Sequence, residues 1–306
     1  MNRSKPVLAV VAAGVTWGVI SLFVRRLSAA GLSPLQISLI RMVTSAVCFF
    51  PLMALRDPAR LRIRLRDLWM FVGTGIVSVV LFNSLYFYTT VQSQASVAVV
   101  LLYTSPAFVL LLSALLFKER ITRKKLICLG MTVLGCALVG GVLGGSYRLT
   151  GRVLLAGLGS GFFYALYTIF ARVALRRYDS MTVTAYTFLL GALGSLPLGK
   201  AADTASTLAD EPILLLFCLG IGVVSTVLPY VLYTWGLQRM DPGRAAILVA
   251  VEPLVGAVLG MVCYGEPHDL PKLAGILLIL GAVLLLNRPD KEKQRRTAAQ
   301  NEEKSG

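Results

Sequence analysis

One acid stands inside the long apolar stretches of this chain. Glu252 lies midway along GRAAILVAVEPLVGAVLGMVCYGE and is followed at once by Pro253. A carboxylate in hydrocarbon costs a few kcal/mol or more, so it must face other protein or a water-filled cavity. Pro253 cannot donate to the carbonyl of Val249, which frees that carbonyl and bends the helix. A charge, a freed carbonyl and a kink within one turn are the parts of a ligand site. An acid there can carry a proton, which makes Glu252 the candidate for proton coupling. The rival role is a fixed carboxylate that binds a cationic group, and the plainest role is packing. Arg41 is the other deep charge. It lies about 10 Å below one surface and Glu252 about 10 Å above the other, by a rise of about 1.5 Å per residue. That leaves about 10 Å of depth between them in a core of about 30 Å. Arg41 therefore reads as a structural charge that snorkels outward or bonds freed carbonyls; a direct pair with Glu252, for which both side chains would have to stretch, is the less favoured alternative.

Around these charges, aromatic and polar residues recur at helical spacing. Ser78, Phe82, Tyr86 and Thr89 share one face with Asn83 beside it, and Val99, Tyr103 and Pro106 share another. Tyr164, Tyr230 and Tyr233 stand in later apolar runs, and Trp17 lies mid-run, away from the interfacial belt where Trp is usually placed. Ring faces with hydroxyls suit a pocket for a partly apolar organic solute; the bland alternative is helix packing. The expected substrate-binding set is Trp17, Asn83, Tyr86, Tyr103, Tyr164, Tyr230, Tyr233 and Glu252. Pro106 and Pro253 are the expected hinges.

Other chemistry is poorly supported. The lone histidine, His268, sits in a loop beside Glu266 and Asp269 and makes no metal site. Gly194–Lys200 fits most of a P-loop but fails at Ala201, where a hydroxyl is needed. Gly73-Thr-Gly75 and Gly220-Ile-Gly222 lie inside apolar runs and read as small residues for close helix packing, as do Gly157-xxx-Gly161 and Gly256-xxx-Gly260. The five cysteines all fall in apolar runs without CxxC spacing and read as small hydrophobes. No cofactor and no metal are expected. An enzyme would need a convergent acid, base, nucleophile or metal cluster, and the runs hold only Glu252 and Arg41 besides tyrosine and cysteine.

The elements that must position these residues are membrane helices. Of 306 residues, 56% are hydrophobic and only 15% charged, with the apolar residues in blocks. The expected fold is an all-α integral membrane protein with ten transmembrane helices, near 7–25, 34–55, 68–90, 95–117, 125–145, 152–174, 181–199, 212–236, 243–264 and 270–287. The net charge of +15 belongs to loops rather than to a nucleic-acid surface. With the N-terminus inside, 23 of the 30 Lys and Arg fall in cytoplasmic segments and 6 outside, which puts both termini in the cytoplasm of a cell-membrane protein. The polar tail 288–306 reads as disordered.

The chain also repeats itself at an offset of 147 residues. Phe23 falls on Phe170, Trp17 on Tyr164, Gly73 and Gly75 on Gly220 and Gly222, Tyr86 on Tyr233, Pro106 on Pro253 and Glu119 on Glu266. Five spans per half is an odd number, so the halves (7–145 and 152–287) insert in opposite senses. Such inverted-topology repeats are a hallmark of secondary transporters, with the site near the midplane between halves. The Thr16-Trp17-Gly18, Arg41, Glu252-Pro253 and Gly265-Glu266 residues resemble those of the drug/metabolite transporter superfamily, EamA branch. The resemblance implies a ten-helix transporter that moves a small organic metabolite (an amino acid, other metabolite or drug-like solute) across the cell membrane, by alternating access and often outward. Its partners would be the solute and the lipid bilayer, as monomer or homodimer, with no nucleic acid. A channel or receptor, and less readily a membrane-embedded enzyme, are the alternatives. The topology is directly testable. A reporter active only outside the cell is expected to be silent when fused after Arg288 and active when fused after Ser93; activity at the tail would overturn both the orientation and the inverted repeat.

Overall fold

The computed structural model describes residues 4–93, 95–141, 150–265 and 270–287, and among them every element is helical. The expectations for Glu266, His268, Asp269, the end of the first half beyond 141 and the 288–306 tail fall outside the described residues. In chain order the helices are α1 (Ser4–Ala29), α2 (Pro34–Arg56), α3 (Leu65–Gln92), α4 (95–117), α5 (Arg123–Val139), α6 (Gly151–Ala174), α7 (Ser180–Ser195), α8 (Ala201–Asp210), α9 (Leu214–Leu237), α10 (242–264) and α11 (Leu270–Asn287). Seven of them, α1 to α4, α6, α9 and α10, are long and apolar enough to cross a membrane. Helices α5, α7 and α11 are shorter, at 17, 16 and 18 residues. At about 1.5 Å per residue each spans roughly 25 Å, a little less than the hydrocarbon core. The span expected at 181–199 breaks into turns after Ser195, and the polar stretch taken for a loop folds as the separate helix α8.

Local chemistry sets the helix ends. Ser33 and Gln36 form a reciprocal capping box at the start of α2, with Pro34 in the first helical position. Thr122, Thr150 and Asp179 accept from the backbone three residues on, at the starts of α5, α6 and α7. Helices α4 and α10 both stop in the left-handed region, at Lys118 (φ 56°) and Gly265 (φ 63°).

Five helices are not regular throughout. A turn at Val19 divides α1, turns at Tyr103 and Thr104 divide α4, and a 3-10 turn at Val249–Val251 divides α10. A break in the regular helix thus lies just before Glu252-Pro253, and another just before Ser105-Pro106. Helices α3 and α9 carry π-helical segments at Gly73–Val80 and Val223–Val227; no residue pattern signalled these. The 147-residue offset carries into the element bounds, since the second segments of α4 and α10 run Ser105–Phe117 and Glu252–Tyr264.

Packing crosses the middle of the chain. Helix α1 lies on α9 and α10, α6 lies on α3 and α4, α2 touches α7 and α9, and α5 lies along α11. The glycines of the expected packing pairs make these approaches. A Cβ at Gly73 would lie 2.5 Å from the ring of Phe170, and one at Gly220 would run into the ring of Phe23. Gly75 and Gly222 are equally hemmed in, by the Thr187 carbonyl at 2.7 Å and the Thr44 methyl at 2.6 Å. Gly157 and Gly161 abut Leu101 and Thr104 on α4. Gly256 corrects the expectation: nothing lies within 4 Å of its would-be Cβ, so it makes no close helix approach. Gly73→Ala is thus expected to destabilise the protein by about 1–3 kcal/mol. Gly256→Ala is expected to be neutral or slightly stabilising, because alanine is the better helix former. Thermal unfolding of both variants in one detergent checks the contrast.

Candidate functional site

The break in α10 puts Glu252 at the first position of the helix segment that follows it, and the break in α4 puts Tyr103 opposite. The Tyr103 hydroxyl lies within electrostatic reach of the Glu252 carboxylate. Two irregular turns, one from each half of the chain, thus bring these two side chains into one region. The expected hinge prolines follow these turns directly, Pro253 after Glu252 and Pro106 after Ser105.

Over this pair lies a layer of rings. Trp17 meets Tyr230 edge to face at 5.1 Å and leans on Tyr233 at 5.6 Å. Tyr167 and Phe188 close on Tyr230 from other sides at 5.0 and 5.2 Å, and Phe82 meets Tyr164 at 5.1 Å. Such edge-to-face pairs are each worth about 0.5–1.5 kcal/mol beyond area burial, so the layer is stiff. The Thr168 and Tyr233 hydroxyls share a hydrogen bond of 2.8 Å, and the Asn83 amide donates to the Val79 carbonyl of its own helix at 2.8 Å.

Against the layer lies a cavity of about 350 Å³, near the lower end of the range of about 300–1,000 Å³ usual for small-molecule sites. Six of the eight expected substrate-binding residues line it: Trp17, Asn83, Tyr86, Tyr164, Tyr230 and Glu252. Tyr103 and Tyr233 instead border a much smaller void of about 10 Å³ beyond the rings, together with Pro106 and Thr168; it has room for about one water. Arg41, expected as a structural charge, is on the wall of the larger cavity. Its Nε donates to the Thr226 hydroxyl at 3.3 Å, and among the described residues it makes no ion pair with Glu252. Sequence reasoning missed Ser21 and Ser38 on the same wall. Helical spacing held the signal, since Ser21 is four residues after Trp17 and Ser38 three before Arg41.

The cavity reaches one end of the bundle. Val24, Pro34 and Thr90, near the ends of α1, α2 and α3, belong to its lining, and the opposite ends of those helices contribute nothing. That opposite end is tied by polar contacts, several of them between early and late parts of the chain. Buried Asp67 accepts from Arg177 and, at 2.8 Å, from the Tyr178 hydroxyl. Lys125 stands between Glu119 at 3.7 Å and Asp241 at 3.6 Å. Arg172 donates to the Leu237 carbonyl at 2.7 Å. No group of three or more potential metal ligands occurs among the described residues.

The model of the EamA-like transporter family matches this chain twice, over residues 4–141 and 151–288. The chain belongs to the EamA-like transporter family. This EamA-like protein is 28% identical to an uncharacterized transporter of Archaeoglobus fulgidus over 277 residues, covering 90% of this chain and 94% of the relative. It is 30% identical over 213 residues to the uncharacterized inner membrane transporter YicL of Salmonella typhimurium, covering 68% and 69%. It is 27% identical over 302 residues to a probable terminal-alkyne amino-acid exporter of Streptantibioticus cattleyicolor, covering 94% and 95%. A solved crystal structure superposes with a TM-score of 0.74 at 17% identity, over 94% of this chain and 97% of that one, a likeness of fold alone. The EamA-like protein is thus a multi-pass membrane transporter and not an enzyme.

Its tied end carries a titration. Burial pushes the Glu119 carboxyl above its ordinary range; Asp241 pushes the same way and Lys125 opposes. Its Oε2 has no hydrogen-bond partner among the described residues, which is where burial is felt. An acid whose pKa is higher folded than unfolded favours the folded state while protonated, and that contribution is lost as pH rises through the folded pKa. Glu119→Gln cannot ionise, so its Tm relative to the parent is expected to rise as pH climbs above the ordinary glutamate range, about pH 4.3. A difference that is flat with pH, in thermal unfolding of the two proteins, would show that Glu119 does not titrate there.

Proposed function

We propose that the protein is a secondary transporter which exports a small organic metabolite by alternating access, and that Glu252 couples the movement to protons. The observation that carries this reading is the one-ended cavity with Glu252 on its wall. A solute-sized space that opens to one end only, with the other end held by breakable ion pairs, is one of the two states such a cycle needs. In this reading the ten expected spans form two five-helix halves, 7–145 and 152–287, inserted in opposite senses. The shared offset of the second segments of α4 and α10 supports the duplication. The excess of Lys and Arg at the tied end, where Arg56–Arg66, Lys118–Lys125 and Arg172–Arg177 lie, supports a cytoplasmic position for that end. In this reading the cavity faces outward.

The ring-lined wall favours a solute with an apolar or aromatic body. The resemblance to a probable amino-acid exporter points the same way without naming the solute. Export requires the tied end to open. Lys125 would have to leave Asp241 and Arg177 leave Asp67, while the hinge prolines Pro106 and Pro253 let the broken helices bend. Glu252 sits where that bend is made. Taking up a proton there removes a charge from the bundle before it moves, which lowers the cost of the passage.

Purified protein in liposomes, screened with a panel of amino acids, is expected to show saturable flux accelerated by a pH gradient. Glu252→Gln is expected to bind solute and to exchange solute for solute, while losing the acceleration by the gradient. A loss of binding instead would mean that the carboxylate holds a cationic group of the solute. Normal transport by Glu252→Gln at every pH would leave Glu252 a structural residue.

A further inference from the structure

Arg41 is held from one side only. Its Nε donates to the Thr226 hydroxyl at 3.3 Å. That hydroxyl in turn donates to the Ile221 carbonyl at 2.7 Å, five residues back in the π-helical part of α9. The hydroxyl proton is therefore committed, and a lone pair of Thr226 is left to anchor the guanidinium. The two terminal nitrogens of Arg41 carry four more N–H donors. Among the described residues no side chain or carbonyl accepts from them, and Arg41 borders the cavity. Glu252, the carboxylate that shares the cavity, acts on Arg41 electrostatically but makes no ion pair with it among the described residues. A planar fork of donors thus faces a solute-sized space with no acceptor among the described residues in hydrogen-bond reach.

We propose that Arg41 binds the carboxylate of the transported solute, so that the substrates are small monocarboxylates with an apolar or aromatic body. This rests on the reading above that the cavity is the solute site. The choice of anion follows from the lining. A guanidinium matches a planar carboxylate with two parallel hydrogen bonds. In the reading above Glu252 takes up a proton. The cavity then holds one cation among rings and aliphatic side chains, which balances one negative charge, whereas a phosphate ester would bring close to two and leave the excess unpaired in an apolar wall. A neutral acceptor would leave the guanidinium's charge uncompensated in that state. The anchor on Thr226 fixes the fork, so the carboxylate is received in one orientation, and the ring-lined wall of Trp17, Tyr86, Tyr164 and Tyr230 is left for the body of the solute.

Four probes that share a phenyl ring test this: L-phenylalanine, 3-phenylpropionate, L-phenylalaninamide and phenethylamine. Binding is measured on the purified full chain in lipid nanodiscs. The two carboxylates are expected to bind at least about tenfold more tightly than the amide and the amine, as the loss of a charged hydrogen bond predicts. Arg41→Gln is expected to erase that acid-over-amide ratio, and Arg41→Lys to keep a smaller one. Because the ratio is read within each variant, a change in overall stability does not imitate the result. If Arg41→Gln fails to fold, Arg41→Lys and the parent ratio carry the test. Equal binding of amide and acid by the parent, no binding by either carboxylate, or a full ratio retained in Arg41→Gln or Arg41→Lys would overturn the assignment. Saturable flux of the amide or amine would do so while leaving the transporter reading intact; the transporter reading fails separately, by absence of saturable flux for any solute.

Discussion

A helix in hydrocarbon must satisfy its backbone from within, because no water is there to complete a broken ladder. Five helices of this protein are interrupted, and its candidate site draws on four of the breaks. The turn in α4 carries Tyr103 and the turn in α10 leads into Glu252, within electrostatic reach of each other. The π-segments of α3 and α9 carry Ser78, which donates to the Phe163 carbonyl on α6 at 2.6 Å, and Thr226, which holds Arg41. The polar side chains of these irregular segments, Ser78, Ser225 and Thr226, are buried against other helices, while Val223 and Val224 of the same α9 segment are exposed. Lipid-facing surface also includes regular stretches with exposed Leu115, Leu155, Leu216 and Val262. Irregular backbone at membrane depth is tolerated only where protein or a cavity receives it, so the breaks and the cavity imply one another.

The ring layer connects this central region to the tied end. Trp17 comes from α1, Tyr167 from α6, Phe188 from α7, and Tyr230 and Tyr233 from α9. Any displacement of α1 against α9 must therefore repack several edge-to-face contacts at once. Packed interiors of this kind deform in discrete steps, not smoothly. The layer separates the solute-sized cavity from the one-water void beyond it, and the ion pairs of Lys125 and Arg177 close the route further along.

The legible part of the molecule was what periodicity and charge encode. Most apolar runs became helices at the expected places, the proline positions marked real breaks, and six of eight expected residues share one cavity. Features set by geometry between helices were not legible. Gly73 and Gly256 look alike in the sequence, yet one meets a ring and the other open space, because the neighbour across the contact is far away in the chain. Arg41 looked structural when depth along its own helix was the only ruler. Its place on the cavity wall depends on Thr226, 185 residues on. The π-segments had no signal, since small residues at Gly73, Gly75, Gly220 and Gly222 permit both close packing and a widened turn. Tyr103 and Tyr233 missed the main cavity because helical spacing gives a face, not which side of a ring layer that face meets.

The exchange of Phe23 for Gly220 and of Phe170 for Gly73 also bears on how the chain is made. Synthesis proceeds from the N-terminus, and elements fold as they emerge. Helix α1 is complete long before α9 exists, so Phe23 waits without its glycine slot. Gly73 and Gly75 likewise stand in α3 with no α6 or α7 to fill them. The first half therefore inserts as loosely associated helices with lipid or the insertion machinery against these surfaces. It acquires its final packing only when residues near 170 and 220 arrive. Close packing in this bundle is a late event shared by both halves, and a pause in synthesis between α5 and α6 would hold the chain in its least protected form.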